Sequence, residues 1–198
     1  MFKKKIGIFS GTFDPVHRGH VESCIVALGA LDLDSVVIFI EKKPHRKQDV
    51  ADFYHRANML KLAVKDYPGI RIADVDSNNI TTKYALDYLD SQFSGSEYWY
   101  IIGSDTLSHV EGWEDSDLLF NEMNICTVLR NNSEEKNTQK IVNDLKKHHP
   151  QTKFVVLPAV WPVVSSSKEK NSLRIGEAPG GLDQSVADYI KQHRLYES

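Results

Sequence analysis

Short, unbroken apolar runs alternate along this chain with longer stretches in which apolar residues recur every three or four positions. Residues 6–9, 36–40, 70–75, 98–102, 123–129 and 153–157 read as strands. The uninterrupted run Val36-Val37-Ile38-Phe39-Ile40 marks a strand covered on both faces. Between the strands, Val21, Cys24, Ile25 and Leu28 have helical spacing, as do Phe53, Ala57, Leu60 and Val64. The same spacing continues through Ala85, Leu86, Leu89 and Phe93, and through Ile141 and Leu145 within 135–149. Pro68-Gly69, Asp76-Ser77-Asn78-Asn79 and Pro150 punctuate these segments. No repeat, low-complexity segment or long linker divides the chain. Strand and helix in strict alternation predict one α/β domain over residues 1–198, a doubly wound, mostly parallel sheet with helices on both faces. Right-handed crossovers then put the loop after each strand on the carboxyl edge, where open sheets bind ligands.

The first of these loops carries the most chemistry. Residues 5–20 read KIGIFSGTFDPVHRGH: a strand, a Ser10-Gly11 turn, Asp14-Pro15, then His17-Arg18-Gly19-His20 at a helix start. A glycine loop meeting a helix N-terminus gathers backbone N–H groups and the positive end of the helix dipole, which suits phosphate. The three-residue spacing puts His17 and His20 on one side of the first turn, with Gly19 keeping bulk away between them. Imidazoles there are donors for charge building on a transferring phosphoryl group. An isolated His-x-Gly-His is as readily a surface pair or part of a zinc site. The preceding strand and glycine turn favour phosphate.

Later loops on the same edge add to this. Glu41-Lys42-Lys43-Pro44-His45-Arg46-Lys47 has five residues able to carry positive charge, a counter-charge for phosphate or a solvated basic turn. Gly103-Ser104-Asp105 ends a β-prone run with a residue permitting close approach and a carboxylate able to accept ribose hydroxyls, or alternatively a helix cap. Ser165-Ser166-Ser167 opens another helix, as a second anion site or an ordinary cap.

Composition narrows the function further. The chain has 198 residues, 24 basic and 27 acidic, for a net charge of −3. No global field recommends nucleic acid or an anionic membrane as partner, so any phosphate site is local. Cys24 and Cys126 are far apart, without a CxxC pair, which argues for a reducing compartment and against a structural zinc. Apolar runs are too short for a signal peptide or a membrane span of about 20 residues. A cytoplasmic location is expected. There is no carboxylate cluster with the look of a prebuilt metal cage. An oxidoreductase is disfavoured because no G-x-G-x-x-G follows the first strand.

The segment GTFDPVHRGH resembles the signature of the nucleotidyltransferase superfamily, and the chain is similar to its nicotinate mononucleotide adenylyltransferase branch. The resemblance implies the Rossmann-like HxGH nucleotidyltransferase fold, with residues 163–198 closing the ATP site. It implies adenylyl transfer from ATP, accompanied by Mg²⁺, to nicotinate mononucleotide, giving the deamido-NAD dinucleotide and pyrophosphate in NAD biosynthesis. The catalytic positions it implies are His17, His20 and Lys170. ATP would be held by Ser10, Gly11, Thr12, Phe13, Gly19, Gly103, Asp105, Ser165, Ser166, Ser167 and Arg174. The acceptor would be held by Lys42, His45, Arg46, Tyr84, Ala85 and Trp113, the tryptophan stacking on the pyridine ring. Arg56-x-x-Met59-Leu60 matches a family helix and reads as scaffold. The tail from Val186 to Tyr196 matches the end of the branch and reads as a docked helix without chemistry.

Departures from the pattern are specific. Lys43-Pro44 stands where relatives have Pro-Pro, and Lys83-Tyr84-Ala85 where they have Ser-Tyr-Thr. Ser167 replaces threonine and Lys170 replaces arginine, with Arg174 one helical turn further on. Lysine keeps the charge of arginine and loses its fork. Two alternatives stay open: the same transfer to nicotinamide mononucleotide or another phosphate monoester, and a non-catalytic nucleotide-binding module.

Overall fold

A computed structural model describes residues 3–44, 49–75, 77–159 and 164–197. The apolar runs form six parallel strands: β1 (Lys5–Gly11), β2 (Ser35–Ile40), β3 (Ile70–Ile72), β4 (Glu97–Gly103), β5 (Met123–Val128) and β6 (Phe154–Leu157). Their order is β3-β2-β1-β4-β5-β6. The helices are α1 (Arg18–Leu31), α2 (Phe53–Val64), α3 (Thr82–Phe93), α4 (Ser104–Leu107), α5 (Ser116–Glu122), α6 (Glu135–His148), α7 (Ser166–Arg174) and α8 (Gln184–Gln192). The third strand is shorter than its apolar pattern, because only Val36 to Ile38 of β2 pair with it and the chain leaves the ladder after Ile72.

The period of two sorts the strand side chains into two cores. Val36, Ile38, Ile40, Trp99 and Ile101 pack with α1, α2 and α8 on one face. Val37, Phe39, Tyr98, Tyr100 and Ile102 pack with α3, α5 and α6 on the other. Every residue of β2 is buried, as expected for a strand covered on both sides. Helix faces follow the spacing with two corrections. In α2 the buried residues are Arg56, Met59, Leu60 and Val64, with Phe53 and Ala57 packed at the margin, so the buried face is rotated to take in an arginine. In α6 it is Val142 that is buried, with Ile141 beside it at the margin.

The order in which strands are added reverses between the parallel neighbours β1 and β4, with β2 and β3 laid outward on one side and β5 and β6 on the other, and this is the switch point of a doubly wound sheet. The carboxyl ends of β1 and β4, at Gly11 and Gly103, open the crevice there. No described helix is long and apolar enough to cross a membrane.

Candidate active site

A cleft of about 550 Å³ opens at that switch point. Its floor is the end of β1 (Ser10, Gly11) with Thr12 and Phe13; one wall is the start of α1 (His17, Gly19, His20), and the other is the end of β4 with Asp105 and Trp113. Ser166 faces these from the start of α7.

His17 is the N-cap of α1 and His20 its third residue, so the helix start itself sets their relation. The rings stack with centroids 3.6 Å apart and planes 21° apart. The backbone N–H of His17 donates to His20 Nδ1 at 3.1 Å. With Nδ1 accepting, the neutral His20 ring carries its proton on Nε2 and presents a donor. Phe13 and Phe9 stand edge-on and tilted against the His20 ring at 5.0 and 6.0 Å, which fixes its plane. Phe13 reaches that position from a left-handed backbone, φ 52°. Gly19 is required by contact: a Cβ there would lie 2.9 Å from Val164 Cγ2 and 3.1 Å from His17 Nδ1.

The serine turn meets this loop directly. Ser166 Oγ donates to the Pro15 carbonyl at 2.9 Å, and Ser165 caps α7 by accepting from the Lys168 amide. Two helix N-termini therefore converge on one cleft. Across it, Ser10 and Tyr100 share a hydrogen bond, and burial pushes the Tyr100 phenol up to about 12, partly offset by that bond. Tyr100 in turn stands edge-on to Trp113 at 5.7 Å. Gly103 is the N-cap of α4, with Asp105 in the first turn pairing with Arg130 at 2.8 Å.

The expected phosphate and ribose residues Ser10, Gly11, Thr12, Phe13, Gly19, Gly103, Asp105 and Ser166 line the cleft together with both imidazoles and Trp113. Ser165, Ser167, Lys170 and Arg174 do not, although all belong to or cap α7. Lys170 is engaged by Asp14 at 2.8 Å, and Arg174 is exposed at the far end of the helix. Nor do Lys42, Tyr84 and Ala85 line it. The ammonium of Lys42 lies 5.7 Å over the Phe53 ring. At the start of α3, Tyr84 N–H donates to Thr81 Oγ1 and Ala85 N–H to the Thr81 carbonyl. His45 and Arg46 lie outside the described residues.

Sequence reasoning missed three contributors. Arg130 follows β5 and lines the cleft, and the rule that loops after parallel strands share one edge was signal enough to find it. Glu41 follows β2 and accepts from Thr12 Oγ1 at 2.9 Å. Arg56, 1% exposed, donates to the carbonyls of Ala51, Thr12, Glu41 and Lys42 at 2.8–3.0 Å, tying the β1 and β2 loops together; nothing in an apolar periodicity announces that. Burial holds its guanidinium below the usual range, opposed by Asp14 and other nearby acids. Among the described residues no group of three or more His, Cys, Asp or Glu is placed to hold a metal.

A cleft on which helix N-termini and imidazoles converge is suited to orienting phosphates and stabilising charge, the working principle of a nucleotidyltransferase. The family model described as cytidylyltransferase-like matches residues 8–171, and the chain belongs to that family. It is an enzyme of the nucleotidyltransferase class. A probable nicotinate-nucleotide adenylyltransferase of Neisseria gonorrhoeae is 30% identical over 199 residues, covering 98% of this chain and 99% of the relative. One from Shewanella putrefaciens is 28% identical over 214 residues, with 98% and 100% covered. The fold is that of the Plasmodium falciparum nicotinic acid mononucleotide adenylyltransferase complexed with NaAD, at a TM-score of 0.77, 20% identity, and 98% and 97% of the two chains covered.

Proposed function

We propose that the enzyme transfers an adenylyl group from ATP to nicotinate mononucleotide, giving the deamido-NAD dinucleotide and pyrophosphate. The observation that carries the reading is the stacked His17/His20 pair at the start of α1, facing a cleft that Ser166 closes from α7. An oxygen of the acceptor phosphate attacks the α-phosphorus in line; that P–O bond forms as the α–β anhydride bond breaks, and pyrophosphate leaves with the electron pair. The acceptor phosphate is already ionised near neutral pH, so no strong base is required. His20 Nε2–H donates to the α-phosphate oxygens as charge grows there, with His17 beside it. The amides at the start of α7 receive the departing pyrophosphate. Gly103 lets the ribose approach β4, where Asp105 accepts from its hydroxyls, and Trp113 offers a face to the acceptor ring. Mg²⁺ enters as part of the nucleotide substrate, its charge neutralising the leaving group. Full-length similarity to enzymes named for nicotinate nucleotide supports this acceptor. We infer one domain, with α7 and α8 closing the nucleotide side.

One observation favours a wider acceptor range. Lys83-Tyr84-Ala85 stands where the resembling family has Ser-Tyr-Thr, and Ala85 is buried with its amide engaged at the start of α3, so it offers a base no side-chain hydroxyl there. Pyrophosphate release from Mg-ATP, measured with nicotinate mononucleotide, nicotinamide mononucleotide and unrelated phosphate monoesters in turn, tests both readings. Release with the nicotinate compound well above the others is expected. Equal release with the amide establishes the wider range, and ATP binding without release to any acceptor overturns the catalytic reading.

A further inference from the structure

The loop between the glycine turn and the imidazole pair is gripped at successive residues. Arg56 Nη1 donates to the Thr12 carbonyl at 2.8 Å and Ser166 Oγ to the Pro15 carbonyl at 2.9 Å. Between them the carboxylate of Asp14, 1% exposed, receives three donors: Lys170 Nζ at 2.8 Å, Tyr196 Oη at 2.6 Å and the Ala51 amide at 3.1 Å. Lys170 Nζ also lies 5.8 Å from the centre of the Tyr196 ring and 3.4 Å from the Asp49 carbonyl. Three segments remote in sequence thus meet on one carboxylate: α7, the turn after α8, and the approach to α2.

Backbone strain collects at the same place. Six described non-glycine residues have left-handed φ, and four of them belong to or adjoin this network: Phe13 (52°), Asp49 (53°), Arg194 (51°) and Tyr196 (66°). Such conformations are unfavourable for residues with a Cβ, persist only where the surroundings over-determine them, and concentrate at clamps around functional sites.

We propose that Asp14, Lys170 and Tyr196 are positioning residues, a latch that sets the His17/His20 pair against the nucleotide, with Lys170 acting through Asp14 and not as a phosphate ligand; the role rests on the adenylyl-transfer reading of the cleft. Lys170 is 16% exposed in its side chain and Asp14 is 1%. Turning the ammonium toward a phosphate would strip a buried carboxylate of its cation, which is strongly unfavourable. The turn after α8 is then part of the working enzyme: Tyr196 docks on the catalytic loop three residues before His17. A loop displaced by about 1 Å is enough to lower a rate by about 100-fold, since the reacting groups must be held in near-attack geometry.

Steady-state kinetics of the full chain with Mg-ATP and nicotinate mononucleotide test this, using Asp14→Asn, Lys170→Met, their double variant, Lys170→Arg and Tyr196→Phe. Asp14→Asn and Lys170→Met each lower kcat by about 10- to 100-fold with KM for ATP within about threefold, because a misplaced loop harms the transition state more than binding. The double variant loses no more than the worse single one, as for residues acting as a unit. Lys170→Arg recovers most of the rate, and Tyr196→Phe lowers kcat by about threefold to tenfold at unchanged KM. Losses that multiply in the double variant, or a KM for ATP raised about tenfold by Lys170→Met at intact kcat, overturn the latch and return Lys170 to the phosphates. Should Asp14→Asn not fold, the cycle of Tyr196→Phe with Lys170→Met carries the same two outcomes. A wild-type chain that makes no dinucleotide with any acceptor overturns the reading of the cleft and the latch's role with it. An active wild type with independent variants overturns the latch alone.

Discussion

His20 shows how much a single hydrogen bond decides. The His17 amide occupies Nδ1, so the ring's remaining nitrogen is the donor, and stacking on His17 and the Phe13 edge leaves it one orientation. Replacing it by alanine is expected to lower kcat by about 10²- to 10³-fold, the usual loss for one preorganised donor to a developing anion. ATP affinity, read by equilibrium binding, should stay within about threefold. An equal loss in both would assign His20 to ground-state binding. The imidazole pair was legible in the sequence because its geometry is local, set by three residues' spacing at a helix start. The place of Lys170 was not legible. Its partner Asp14 lies more than 150 residues away, and nothing in the serine-rich stretch announces a buried carboxylate beneath it.

At the scale of elements, α2 is a connector as much as a core helix. Its apolar spacing told which helix faces the sheet, yet Arg56 enters that face and grips four carbonyls of the β1 and β2 loops. Periodicity assigns apolar residues to a face; it has no term for a polar group satisfied by acceptors that only the assembled sheet supplies. Arg56→Met, similar in length, leaves those carbonyls without their donor and is expected to destabilise the fold by about 2–4 kcal/mol. Arg56→Lys should recover less than half of that, since an ammonium cannot reproduce the planar fork. Urea unfolding followed by circular dichroism measures both; a loss below about 0.5 kcal/mol for the methionine variant would mean that the loops hold themselves.

For the whole molecule, burial of aromatic hydroxyls on both faces of the sheet predicts its response to alkali. Burial raises the phenols of Tyr98, Tyr100 and Tyr196 above the ordinary 10.0, Tyr100 to about 12. The unfolded chain releases these protons from about pH 10, while the native state keeps them, so the folded form binds more protons and stability falls as pH rises from about 10 toward 12. Phenolate absorbance should therefore lag for three of the eight tyrosines and rise together with loss of the circular dichroism signal. Early ionisation with the fold intact would contradict their burial. The sequence by itself determined the alternation of strands and helices, the two-sided burial of β2, and the phosphate-seeking turn from Gly11 to His20, because each is written in neighbouring residues. Only the tertiary structure decided that Arg56 ties the β1 and β2 loops together and that Lys170 turns to Asp14. It alone brought Tyr196 to the catalytic loop. These pairings are set by strand order and by helices docking across the sheet, and no local preference encodes which distant charge a buried side chain will meet.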